Sequence, residues 1–274
     1  MSRSLIALSL FLSFDAFGEP QPEVTIEKVS FAVESAFERG AAVSGELRIP
    51  AASPGRLPAV IIVNSTPGLD GRGAFYAEAL NRAGIATLEI DPYQGKGMPV
   101  TLRHMMPHTF HTLRYLGEHP RIDKARIGIM GFSAGAIVAI LASSEELARQ
   151  YGAGVPRFGA HLALYPQCWY LRKDLRDDRF NGAPVHILGG DKDDYDDPDS
   201  CQRFVDQLPA DTRPRFAVTT YRGATFAWDH RFGGSSYSGG ANKGKGGFVN
   251  VTADPEIARQ SREFAVTYFS DNLK

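Results

Sequence analysis

The chain is short of cysteine, of net charge and of long apolar runs, and each shortage argues against a class of function. Only two cysteines occur among 274 residues, Cys168 and Cys201, and neither lies in a Cys-x-x-Cys spacing, so the sequence gives no sign of a zinc centre. Thirty lysines and arginines face 31 aspartates and glutamates, leaving a formal net charge of -1 and no electrostatic case for nucleic acid or an anionic membrane. The longest apolar run, Leu5 to Phe14, falls short of the about 20 residues that a membrane-spanning helix requires. Disorder is not indicated either, because 43% of residues are hydrophobic and 22% charged.

That apolar run has another use. Arg3 before it and Ala16-Phe17-Gly18 after it give the charged, apolar and small-residue regions of an export signal. Residues 1–18 are therefore expected to be a leader and residues 19–274 a single mature domain, periplasmic or secreted. In an oxidising compartment Cys168 and Cys201 can pair, stabilising the fold by about 3 kcal/mol; otherwise they remain two thiols.

After the leader, Val24 to Val33 and Ala42 to Ile49 alternate as an entry hairpin. Strands are then expected at Pro58–Asn64, Ile85–Ile90, Arg126–Gly131, His161–Tyr165, Val185–Leu188 and Phe216–Tyr221. Helical patterns lie between or after them at Phe75–Ala83, Val100–Glu118 (interrupted near Pro107), Ala134 to about Tyr151, Ser200–Leu208 and Asp254–Phe269. This alternation predicts an α/β fold, a mostly parallel sheet with helices on both faces. The glycine-dense stretch Gly233 to Gly247 reads as a surface loop near the site.

The strongest chemical signal is Gly131-Phe132-Ser133-Ala134-Gly135, with strand RIGIM before it and helix AGAIVAILA after it. So tight a strand-to-helix turn strains the serine backbone and lifts its hydroxyl above the sheet edge; side chains in place of the glycines would clash with neighbouring backbone. The Ala134 amide, heading the helix, then points at the oxyanion formed when a carbonyl is attacked. The second oxyanion donor is expected after the third strand, from the amide of Thr66 or, second, of Ser65. The triad acid is expected after Val185–Leu188, where Asp193 is the first choice and Asp191 and Asp194 stay open.

With these motifs in hand, the chain resembles the dienelactone hydrolase family of α/β-hydrolases, in a serine-using, exported-looking branch. The resemblance covers nearly the whole mature chain through NSTPGLDGRG, HPRIDKARIGIMGFSAG, YPQC, GGDKDDYDDP and YRGATFAWD. It implies an eight-stranded sheet, a Ser-acid-His order, and hydrolysis of small esters or lactones. The family's founding members use cysteine where this chain has Ser133. The departure lies in Gly223-Ala224-Thr225-Phe226-Ala227-Trp228-Asp229, where Phe226 occupies the position of the family's histidine base. A phenyl ring takes no proton from a serine. His230 is the nearest imidazole and the expected substitute base; the alternative is a binding protein that keeps the fold but has lost catalysis.

Leu69, Tyr93, Phe226 and Trp228 are expected to line the substrate pocket at the C-terminal strand ends. No cofactor or metal is implied. His104, His108 and His111 share a helical face, but no local carboxylate or cysteine completes a metal set. The acidic run after Leu188 makes a poor calcium loop, because Tyr195 and Asp196 fill positions that want an oxygen ligand and glycine. Gly239–Lys245 fails as a phosphate loop for want of a following Ser or Thr. The expected partner is a small-molecule ester or lactone, with no nucleic acid and no membrane, and the sequence gives no oligomeric state.

Overall fold

A computed structural model of the chain describes residues 23–35, 40–51, 55–65, 68–92, 101–174 and 179–274. The expected leader falls outside these residues, as do Thr66 and Tyr93.

The central strand shows why the molecule has two cores. In β3 (Leu57–Val63), Ala59, Ile61 and Val63 join one buried cluster, while Val60 and Ile62 join another. This two-residue period sends alternate side chains to opposite faces, and a strand buried on both faces reads as a continuous apolar run. Around it lie β1 (Val24–Ala32), β2 (Ala42–Pro50), β4 (Ala86–Asp91), β5 (Ile122–Phe132), β6 (His161–Leu164), β7 (Val185–Lys192) and β8 (Phe216–Thr225). They form one eight-stranded sheet in the order β1-β2-β4-β3-β5-β6-β7-β8. The β1–β2 and β2–β4 pairs are antiparallel and the others parallel.

One face is covered by α1 (Arg72–Arg82), which brings Tyr76, Ala77 and Leu80, and by the closing helix. The other is covered by α2 (Leu102–Glu118), with Met105, Phe110, Leu113 and Leu116, and by α3 (Ala134–Leu141). α2 runs through Pro107 without the interruption expected there. The single helix expected from Ala134 to Tyr151 is instead two, α3 and α4 (Glu145–Tyr151). The break falls at Ser144, which caps α4 by accepting the Leu147 amide hydrogen.

A short helix not anticipated from sequence, α5 (Cys168–Asp174), is joined to α6 (Ser200–Asp206) by the Cys168–Cys201 disulfide. The glycine-rich stretch is not an irregular loop. It is an antiparallel arm of β9 (Gly234–Ser238) and β10 (Gly247–Val251), turned by α7 (Ala241–Gly244). The last helix, α8 (Pro255–Asn272), starts where Asp254 accepts the amide hydrogens of Glu256 and Ile257, with proline at its first position. Among the described residues, no helix is long and apolar enough to cross a membrane.

The turn from β5 into α3 depends on two close backbone approaches. A Cβ on Gly131 would lie 2.2 Å from the Gly135 carbonyl oxygen, and one on Gly135 would lie 2.1 Å from that of Val63. Neither neighbour is a side chain that can swing away. Gly135→Ala is therefore expected to destabilise the chain by about 3 kcal/mol or more, read by thermal or urea unfolding, since a methyl forced against fixed backbone must displace β3 or α3.

Candidate active site

Three strand ends carry the site, and each ends in a residue with positive φ. After β5, Ser133 has φ 53° and ψ -114°; after β6, Tyr165 has φ 43°; after β8, Ala227 has φ 51°. Such conformations cost about 1–3 kcal/mol each in non-glycine residues and persist only where surrounding structure enforces them. For Ser133 the enforcement is visible. Its own amide donates to the Leu164 carbonyl at 3.0 Å, and its carbonyl accepts the Ala136 and Ile137 amide hydrogens at 2.9 and 3.1 Å. The Ala134 amide heads α3, where a helix offers no internal acceptor, so it is available to a ligand oxygen.

The Ser133 hydroxyl is 3.4 Å from Gln167 Nε2, a donor placed by the loop after β6. Ser133 lines a chamber of about 420 Å³ together with Ser65, Arg72, Tyr195, Phe226 and His230. It also lines a second cavity of about 520 Å³, and Tyr195 is common to both.

Below the first chamber lies a buried polar chain. The Arg72 guanidinium donates to both Asp70 carboxylate oxygens, to Ser65 Oγ at 2.6 Å and to the Tyr165 hydroxyl at 2.9 Å. Tyr165 in turn donates to Asp229 at 2.7 Å, and Tyr76 donates to the other oxygen of that carboxylate at 2.9 Å. Burial raises the Asp229 pKa, and the neighbouring Arg72 charge and the two hydroxyls oppose the rise. At Asp70 the hydrogen bonds and charge of Arg72 outweigh burial, so its carboxyl titrates below the usual range.

This chain sets the position of His230. Its Nδ1 lies 2.8 Å from the Phe232 carbonyl oxygen and 3.3 Å from the Phe232 amide nitrogen, so the Phe232 backbone engages that ring nitrogen. Nε2 is 3.9 Å from Asp70 Oδ2. His230 shares the chamber with Ser133, but no hydrogen bond joins the two.

Asp193 lies elsewhere. It accepts the Tyr195 amide hydrogen at 2.8 Å and makes no contact with His230, so the expected Asp193–His230 pair is absent and Asp70 is the carboxylate facing the imidazole. Burial, reinforced by the like charges of Asp196 and Asp194, pushes the Asp193 carboxyl up to about 7. Asp191 accepts the Gly223 amide hydrogen, linking β7 to β8, and Asp194 ties to Asn250 of β10.

The remaining expectations divide in the same way. The Phe226 ring stands in the chamber wall between Tyr165 and Tyr195, with centroids at 5.1 and 4.6 Å. Trp228 does not join it. The chain turns at Ala227 and sends the indole into the core, where Nε1 donates to Ser261 Oγ at 3.2 Å. Leu69 is exposed and lines neither cavity. Ser65 has its hydroxyl committed to Arg72, and Lys243 pairs with Asp197 at 2.7 Å. Asp70, Arg72, Tyr165 and Gln167 were not singled out from sequence, although the first two lie in the GLDGRG segment and the last two in YPQC.

A parallel sheet with a strained serine between its fifth strand and the following helix is the frame of an α/β-hydrolase. The dienelactone hydrolase family model matches residues 43–245, and the chain belongs to that family. A Bradyrhizobium protein described as a probable 2-oxo-3-(5-oxofuran-2-ylidene)propanoate lactonase is 26% identical over 199 residues, which make up 65% of this chain and 76% of that protein. Among solved structures, the dienelactone hydrolase-like promiscuous phosphotriesterase P91 from metagenomic libraries superposes with a TM-score of 0.66 at 18% identity, covering 92% of this chain and 99% of its own. A dienelactone hydrolase from Anabaena variabilis gives 0.61 at 16%, covering 91% and 99%. Thermogutta terrifontis esterase 2 gives 0.64 at 13%, covering 89% and 94%.

Asp193 provides a test of this geometry. A carboxyl whose folded pKa is raised favours its neutral form in the native state, so the folded chain holds the proton between the unfolded value near 4 and about 7. Stability from this group is therefore present at low pH and lost as pH rises through about 7. Asp193→Asn is expected to remove that fall between pH 5 and 8, measured as Tm against pH beside the parent chain.

Proposed function

We propose that the chain hydrolyses carboxylic esters or lactones by acyl transfer through Ser133. The observation that carries this reading is the positive-φ serine at the head of α3, its hydroxyl opening on two cavities. Ser133 attacks the carbonyl and His230 Nε2 takes the hydroxyl proton. The Ala134 amide stabilises the oxyanion, with Thr66 as the proposed second donor. His230 then passes the proton to the leaving alcohol, and water releases the acid by the same steps in reverse. Ser133 and His230 do not touch in the resting chain, so one water or a closing movement after substrate binding completes the relay.

In this mechanism Asp70 takes over only the charge-stabilising part of the role first given to Asp193, because it faces Nε2, while the Phe232 backbone orients the ring through Nδ1. The imidazolium formed when Ser133 loses its proton lies within 3.9 Å of a carboxylate held ionised by Arg72. Asp193 is the acid that would serve a histidine at position 226. We further propose that residues 1–18 direct export, in keeping with the disulfide between Cys168 and Cys201. The rival reading is a ligand-binding protein that keeps the α/β-hydrolase frame without turnover. Phe226 favours it, because an inert ring stands where the family places its base.

Hydrolysis of p-nitrophenyl acetate separates the two. Ser133→Ala is expected to lower kcat at least 1,000-fold, His230→Ala at least about 100-fold and Asp70→Asn about tenfold, with Phe226→His restoring activity to the His230→Ala chain. Equal rates for the parent and Ser133→Ala would overturn the hydrolase reading. An unaffected His230→Ala would remove the base assigned here.

A further inference from the structure

The two cavities that meet at Ser133 differ in charge. The chamber on the His230 side has Arg72 and His230 in its wall beside Tyr195, Phe226 and Phe232. The larger one has no charged side chain among the described residues of its wall, where Leu102, Met105, Ile137, Trp169 and Tyr170 of α2, α3 and α5 stand with Gln167 and the Ser238–Gly240 end of the β9 arm. Its volume of about 520 Å³ lies in the range of ligand pockets.

Which part of an ester enters which cavity follows from where the proton must go. In acyl transfer the base that deprotonates the serine later protonates the leaving oxygen, so the alcohol portion has to face that base. His230 is in the wall of the chamber and not of the apolar groove. An alcohol directed at His230 leaves the second cavity at Ser133, with Gln167 in its wall, for the acyl substituent. A small lactone cannot use this arrangement fully, because its acyl and alcohol portions are joined in one ring.

We infer that the groove bounded by Leu102, Met105, Ile137, Trp169 and Tyr170 is an acyl-binding site for medium-length or aromatic apolar acyl groups. This inference rests on the proposed role of His230 for its direction, but the groove's affinity for an apolar chain does not depend on catalysis. Each methylene buried there is expected to raise kcat/KM up to about fourfold, until the groove is filled.

Two measurements test the assignment separately from the hydrolase reading. The intact chain is assayed on p-nitrophenyl acetate, butyrate, hexanoate and octanoate. We expect kcat/KM to rise at least tenfold from acetate to hexanoate. Ile137→Phe should move the optimum to shorter chains and Tyr170→Ala to longer ones. Hexanamide and acetamide are then titrated into the Ser133→Ala chain, following tryptophan fluorescence. Hexanamide should bind at least tenfold more tightly, with its signal lost in Ser133→Ala/Trp169→Phe. Hexanamide binding in a chain that hydrolyses no ester would support the groove and overturn the catalytic reading. Hydrolysis with a flat chain-length profile and no preference for hexanamide would overturn the groove alone. Equal losses on acetate and hexanoate in Ile137→Phe would likewise count against it.

Discussion

The site depends on one buried cation. Arg72 opens α1, almost removed from solvent, and its guanidinium ties the loop after β3, through Asp70 and Ser65, to Tyr165 at the end of β6 and on to Asp229 beyond β8. A desolvated charge is stable only when its partners are fixed around it, and breaking such a pair by removing one member typically costs about 3–5 kcal/mol. The three strand ends are held in mutual register by that requirement. Of the three strained backbones, Tyr165 belongs to that network and Ala227 lies two residues before its Asp229, whereas Ser133 is held by its own backbone hydrogen bonds.

The same network explains how an imidazole four residues beyond Phe226 comes to line the serine's chamber. Asp229 is anchored by two tyrosine hydroxyls, so the residue after it leaves the core in a defined direction. Asp70, anchored by Arg72, presents its carboxylate to that residue. Asp193, by contrast, has no such anchor to a cation: burial and the like charges of Asp196 and Asp194 raise its pKa.

Much of the fold could be read from local pattern. The run from Leu57 to Val63 announces a doubly covered strand, and the glycines around Ser133 announce the turn because their contacts are with backbone a few residues away or on the adjacent strand. The misreadings have physical reasons as well. The split of the helix after Ala134 lay in Ser144, a capping residue inside an otherwise helical pattern. The arm of β9 and β10 was hidden because GSSYS and GFVNV carry few buried side chains, and their pairing owes more to backbone hydrogen bonds and the Tyr237–Phe248 contact than to a hydrophobic face. The pairing of His230 with Asp70 joins segments 160 residues apart in sequence, and no spacing rule encodes it. Trp228 was misplaced because the left-handed turn at Ala227 reverses which neighbour faces inward.

The disulfide has a consequence beyond holding two helices together. Cys168 is flanked by Gln167, which reaches the serine hydroxyl, and by Trp169 and Tyr170, which wall the apolar groove. The covalent link therefore braces this stretch of the cleft against α6, beside the hydrogen bond from the Trp169 amide to Asp196, whereas Ser133 is fixed by β5 and α3. In thiol-reducing surroundings the same polypeptide would keep Ser133 in place but lose the covalent brace behind these three side chains.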